Sequence, residues 1–267
     1  MKTLNPKTQF NEAKAYVKES KNYIYSAILI FIVAGIFGFA YRNRLGFIEE
    51  IIKELFLKTE GLNTMELIMF ILQNNVLSAF LSIAQGIFLG VFPIFSAISN
   101  GVVIGYVLGV VKDATGATQF WRLIPHGIFE LPAIFIALGL GIKFGSKHLT
   151  NYMRHFWKNS KIMIFIPIII ALISTALNYK TLQKTLAEIN IQLGKEALIA
   201  VSLIQSVVLS YVIFFILTAL FNKELKKLQA KTLKYSLYQS ANAFLLIIIP
   251  LLIIAAIIEG LLIYLTA

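Results

Sequence analysis

The stretch WRLIPHGIFELPAIFIALGLGIKFG, residues 121–145, decides how the chain is read. It is apolar enough and long enough to enter a bilayer, since about 20 apolar residues cross the hydrocarbon. Its first half nevertheless carries Arg122, His126 and Glu130, and two prolines, Pro125 and Pro132, frame the histidine and the glutamate. If Pro125 opens a helix, His126 and Glu130 share a face, because residues four apart are neighbours. Proline suits the first helical position, where its missing N–H would be an orphan anyway. Pro132 then stands inside the helix, leaves the carbonyl of Ile128 without its donor and bends the axis. In the other reading the chain breaks at the polar half and the helix begins at Pro132. Broken backbone at membrane depth survives only where protein or water surrounds it. Both readings bring an ionisable pair to the membrane, where such pairs are functional candidates.

The rest of the chain fits a membrane environment. Of its 267 residues 58% are hydrophobic, and the mean hydropathy is +0.79. The fold class is therefore all-α, a polytopic transmembrane bundle of six to seven spans with short interfacial amphipathic helices. Spans are expected at about 22–41, 65–89, 92–111, 125–144, 162–179, 198–221 and 241–265, preceded by a polar segment, 1–21. No polar stretch is long enough for an attached soluble domain. The net charge of +11 is read as lysines meeting anionic head groups rather than nucleic acid. Without cysteine there is no disulfide, thiolate metal site or thiol nucleophile. The polar N-terminus lacks a secretory signal, so the first span is expected to stay uncleaved.

Between the spans, Phe10–Lys21 and Phe47–Leu57 read as amphipathic helices lying on the membrane surface. Gly35 and Gly38, the pair Gly86 and Gly90, and the row Gly101, Gly105 and Gly109 have the spacing that lets helix backbones approach in lipid. Gln73, Asn74, Asn75, Gln85 and Asn100 are amides placed to bond between helices. The basic residues Lys143–Lys161 and Lys223–Lys234 read as loops, with His148 and His155 on the surface. Lysine and arginine are denser in the loops on the N-terminal side, which predicts a plasma-membrane protein with a cytoplasmic N-terminus and an external C-terminus.

The run PHGIFELPAI, Pro125–Ile134, resembles the stage II sporulation protein M family of integral membrane proteins. Asn75, Gly90, the pair Asn100–Gly101 and Gly105 fall where that family has an amide-bearing helix followed by a glycine-rich one. Ala255–Gly260, with Glu259, looks like the family's C-terminal helix. The resemblance covers roughly Asn22 to the C-terminus. It implies a membrane-embedded component of a complex, and for the namesake five spans and peptidoglycan-degrading partners. This chain departs from it in the extra spans or interfacial helices expected between Lys143 and Asn222.

Four functional readings follow. His126, Glu130 and Glu259, with Asn75 and Asn100, would form a polar or ion site in a transporter or channel for a small solute, ion or proton. A carboxylate at the bilayer centre costs about 2.5–3.5 kcal/mol and so demands a partner or a neutral form. Alternatively, His126 and Glu130 satisfy broken backbone and lock Pro125 and Pro132 in place. A zinc hydrolase using His126, Glu130 and Glu259 is weaker, because neither HExxH nor GxSxG is present; no enzyme activity, metal or cofactor is expected. The fourth reading is a scaffold, whose partners are the lipid bilayer, further copies of the chain or other membrane proteins.

Overall fold

A computed structural model describes residues 5–87, 90–116, 124–159, 166–188 and 223–266, with scattered positions between 199 and 213. The helices are α1 (Pro6–Glu19), α2 (Lys21–Ala40), α3 (Gly46–Thr59), α4 (Thr64–Ala84), α5 (Val91–Thr115), α6 (Ile124–Asn159), α7 (Ile166–Glu188), α8 (Lys223–Ala243) and α9 (Ile249–Thr266). A π-helical turn, Phe244–Ile248, joins the last two. Among the described residues there is no strand.

Five stretches are long and apolar enough to cross a membrane: Lys21–Ala40, Thr64–Ile87, Val91–Thr115, Gly127–Asn151 and Ala230–Leu262. The expected six to seven spans thus reduce to five among the described residues. Among the described residues α7 offers an apolar run from Ile166 to Leu177, ahead of Asn178 and Lys180; the first positions of the span expected at 162–179 lie outside them. Most of 198–221 lies outside the described residues.

The basic stretches read as loops are helical. Lysine, leucine and glutamine are good helix formers, so α6 continues to Asn159 and α8 begins at Lys223. The π turn precedes Pro250 and the Ile249 N–H reaches back to the Phe244 carbonyl. A proline ring crowds the carbonyl four residues earlier, and a widened turn relieves that crowding.

The chain divides into two compact units, residues 1–145 with 235–267 and residues 146–234. In the first, α6 is the central element. Every position from Ala137 to Gly145 is buried, and a helix apolar on all sides belongs inside a bundle. Small residues admit its neighbours. A Cβ at Gly139 would strike Ile24 of α2, one at Gly141 would strike the Ser82 carbonyl of α4 and Pro93 of α5, and one at Gly86 would strike Gly141 itself. Gly90, with φ +77°, turns the chain into α5 and sits 3.2 Å, measured from its would-be Cβ, from the Ile142 carbonyl.

The pairing of α2 with α5 is closer still. A Cβ on Gly38 would overlap Val102, one on Gly105 would overlap Gly35, and one on Gly101 would overlap the Phe31 carbonyl. Gly109 faces Arg42, whose guanidinium holds Asp113 through Nε at 2.7 Å and Nη2 at 2.9 Å. The glycine row is thus occupied within the chain. The outward faces of α2 and α4 carry exposed Leu29, Val33, Ile36, Leu77 and Phe80, as lipid requires.

In the second unit, Asn151 Nδ2 donates to Thr232 Oγ1 at 2.9 Å, joining the end of α6 to α8. His148, expected on the surface, is 2% exposed there, because α6 continues through it. The side chain of His155 lies outside the described residues.

Candidate functional site

The residues singled out from sequence divide between depths. α6 starts at Ile124 and runs unbroken through Pro132, so the reading in which Pro125 lies in the first turn is the one observed. His126 is in that turn, with its side chain, like all of Arg122, outside the described residues. Pro125, in the first turn, interrupts no internal hydrogen bond. The carbonyl freed by Pro132 belongs to Ile128, which is 59% exposed and one position into the span that begins at Gly127. It therefore lies at the boundary, where water can satisfy it.

The two carboxylates are shallower than their apolar surroundings suggest. Glu130 stands three positions after the start of its span at Gly127, and Glu259 three before the end of its span at Leu262. α6 enters at the end of the bundle from which α9 leaves, for Gly260 packs on Ile68 near the start of α4, and α4 runs beside α6. Glu130 and Glu259 thus share one end of the first unit. Both are half-buried, and Glu130 is engaged with a partner.

The amides form no common centre. Gln73 and Asn74 are exposed and Asn75 is half-buried on α4. Asn100 Nδ2 donates within its own helix, to the Ser96 carbonyl at 2.8 Å and Ser96 Oγ at 3.2 Å. Among the described residues no three His, Asp or Glu side chains gather into a metal-holding group.

The opposite end holds a site that the sequence did not announce. Lys143 is 3% exposed. Its ammonium donates to Ser20 Oγ at 2.9 Å and the Tyr16 carbonyl at 3.5 Å, and lies 3.7 Å from the centre of the Tyr16 ring. Glu19 stands 3.6 Å away, with a side chain 61% exposed. Ser20 is the single residue between α1 and α2, and its hydroxyl donates back to the Tyr16 carbonyl at 2.6 Å. Lys143 therefore pins the elbow between the two helices.

This corrects the expectation that the N-terminal helix lies on the membrane surface. Ala13 and Tyr16 are buried in a core with Ala79, Ile83, Ala133, Ala137, Leu140, Ala243, Ile248 and Leu252. Tyr16 also meets Tyr235 edge-on at 6.2 Å. Burial pushes the Tyr16 phenol above its ordinary value near 10, and the facing hydroxyls of Ser240 and Ser236 offset part of that rise. A signal was present in the sequence: Lys143 interrupts the run Ala137–Gly145, whose small residues mark it as interior. Its resemblance to a flanking lysine concealed this.

Five apolar helices, four of them packed about a glycine-lined fifth, define a multi-pass helical membrane protein. The chain belongs to the Stage II sporulation protein M family, whose model matches residues 27–262. No curated protein and no solved structure matches it.

Proposed function

We propose that the protein is a membrane-embedded component of a multi-protein complex, acting as a scaffold. The observation that supports this best is the distribution of polarity. Glu130 and Glu259 are near one end, Lys143 and Tyr16 near the other. Between them in sequence lie Ala133, Ala137 and Leu140 of α6 and Ala243, Ile248 and Leu252 of the last span, all buried in one apolar core. An ion passing between residues 133–140 and 248–252 would lose its hydration against alkyl side chains. In this reading the chain is not an enzyme and needs no cofactor.

The same reading places the protein in the plasma membrane with its N-terminus in the cytoplasm. With five crossings, the loops on the other side hold Arg42, Arg44, Lys53, Lys58, Lys112 and Arg122. The remaining flanking lysines and arginines fall on the N-terminal side, as the positive-inside bias requires. A further pair of crossings between 152 and 229 would move only Lys180, Lys184 and Lys195 across. Self-association, if it contributes, uses faces other than the Gly101–Gly109 row, which α2 covers.

Affinity purification from native membranes, with the chain at its natural level, tests the scaffold. A reproducible set of partners in fixed stoichiometry supports it, and an unaccompanied homo-oligomer counts against it. The competing reading, a transporter using His126, Glu130 and Glu259, draws on the two carboxylates sharing one end of the bundle.

A further inference from the structure

Several serines among the described residues bond back to the preceding helical turn. Ser20, Ser26 and Ser82 each donate to the carbonyl four residues earlier, at 2.6, 2.9 and 2.8 Å, as hydroxyls in apolar helices commonly do. Ser236 and Ser240 of α8 do not. They are 1% and 2% exposed, their hydroxyls face Tyr16, and neither closes a hydrogen bond of regular geometry. Gln239 Oε1 and Asn242 Nδ2, within the same two turns, are likewise buried without a hydrogen-bond partner. A buried polar group left so costs about 1–3 kcal/mol, and four within seven residues look to a partner that their own helix does not supply.

The donors suit a group with several negative oxygens. The Ser236 and Ser240 hydroxyls face the Tyr16 phenol, and the Lys143 ammonium lies on its ring at 3.7 Å. Ser20, which Lys143 touches, immediately precedes the span that starts at Lys21, so the elbow that Lys143 holds lies at the membrane boundary. Tyr16 fills the position between the ammonium and the serines. We propose that Lys143, Ser236 and Ser240 form a phosphate-binding site near the membrane boundary, for which Tyr16 is the internal occupant and α1 the lid. Charge-assisted contacts to phosphate outweigh those a neutral phenol makes, so a bound phosphate displaces Tyr16, and α1 swings away on Ser20. The inference is independent of whether the protein is a scaffold.

Because the chain has no cysteine, Ala13→Cys alone reports the lid: Ala13 is 0% exposed when α1 is docked. Its maleimide labelling is measured in nanodiscs of phosphatidylcholine, the same with added inorganic phosphate, and the same with phosphatidylglycerol. Labelling is expected to rise about tenfold with the anion, 1.4 kcal/mol of lid opening. A rise with both anions marks a general phosphate site, and a rise with phosphatidylglycerol alone marks a head-group site. Ser236→Ala with Ser240→Ala is expected to abolish the rise while α1 stays docked. Since Lys143→Gln would also loosen the elbow, a direct measurement accompanies these: Tyr16→Ala should retain radiolabelled phosphate or phosphatidylglycerol more tightly than the natural chain. Labelling indifferent to both anions, together with no ligand retained by Tyr16→Ala, overturns the proposal.

Discussion

Gly105→Ala tests how the bundle is held together. A Cβ at this position would overlap the Gly35 carbonyl oxygen and lie 2.7 Å from its carbon and 2.9 Å from the Gly35 Cα, all backbone atoms that no rotamer can move aside. Restoring an ordinary carbon–carbon separation of about 3.5–4.0 Å parts α2 and α5 by roughly 1 Å, and such a gap forfeits a quarter to a half of each contact along the seam. Gly38 on Val102 and Gly101 on Phe31 lie on that seam and loosen with it. Overpacking of this kind costs about 1–3 kcal/mol. In lipid or detergent the unfolded reference keeps its helices, so alanine's helix propensity does not offset the loss. The midpoint of thermal aggregation, followed by size exclusion after heating in detergent, should fall by roughly 2–12 °C for a chain of this size. Gly127→Ala is the control, since its Cβ would meet only Leu131 Cδ1 at 3.8 Å, and it should leave the midpoint unchanged. Equal midpoints for the two variants would refute the close α2–α5 approach.

Two further outcomes follow from local geometry. Asn63 caps α4 by accepting from the Glu66 N–H at 3.0 Å, while the Glu66 carboxylate accepts from the Asn63 N–H at 2.9 Å; Asn63→Ala should lower stability by about 1 kcal/mol, read as an earlier unfolding midpoint, and an unchanged midpoint would show the cap to be idle. Tyr16 has a folded-state pKa above its ordinary value because of burial, so its contribution to α1 docking is complete below about pH 10 and fades as pH rises through the folded value. Stability measured from pH 8 to 11 should therefore drop more steeply in the natural chain than in Tyr16→Phe, against a background of Lys143, Glu19 and Tyr235 beside the phenol; parallel curves would contradict the burial.

The elements that hydropathy governs were legible in the sequence. Four of the five spans begin within two or three residues of their expected positions, because apolar runs of bilayer length have few alternatives. The exception is the last, whose stretch starts at Ala230 rather than near 241. The glycines also announced close approach, but not the partner of each: Gly105 meets Gly35 through space, and no periodicity states that. Depth was misjudged where helices outrun their apolar cores. α6 has 36 residues, so Glu130, central to the quoted stretch, stands near the end of a crossing. Lys143 was hidden for the converse reason. A lysine at the edge of an apolar run reads as a flank, and only the docking of α1 makes it interior.

The proposed scaffold role rests on an apolar core between Glu130 and Glu259 at one end and Lys143 at the other, and it implies a bundle that conducts nothing. Ion and proton flux through purified protein in liposomes tests it most directly, with Glu130→Gln and Glu259→Gln alongside. The account predicts that the natural chain leaks no faster than empty liposomes and that the variants match it. A flux through the natural chain that disappears in either glutamine variant would contradict the account and establish a transporter.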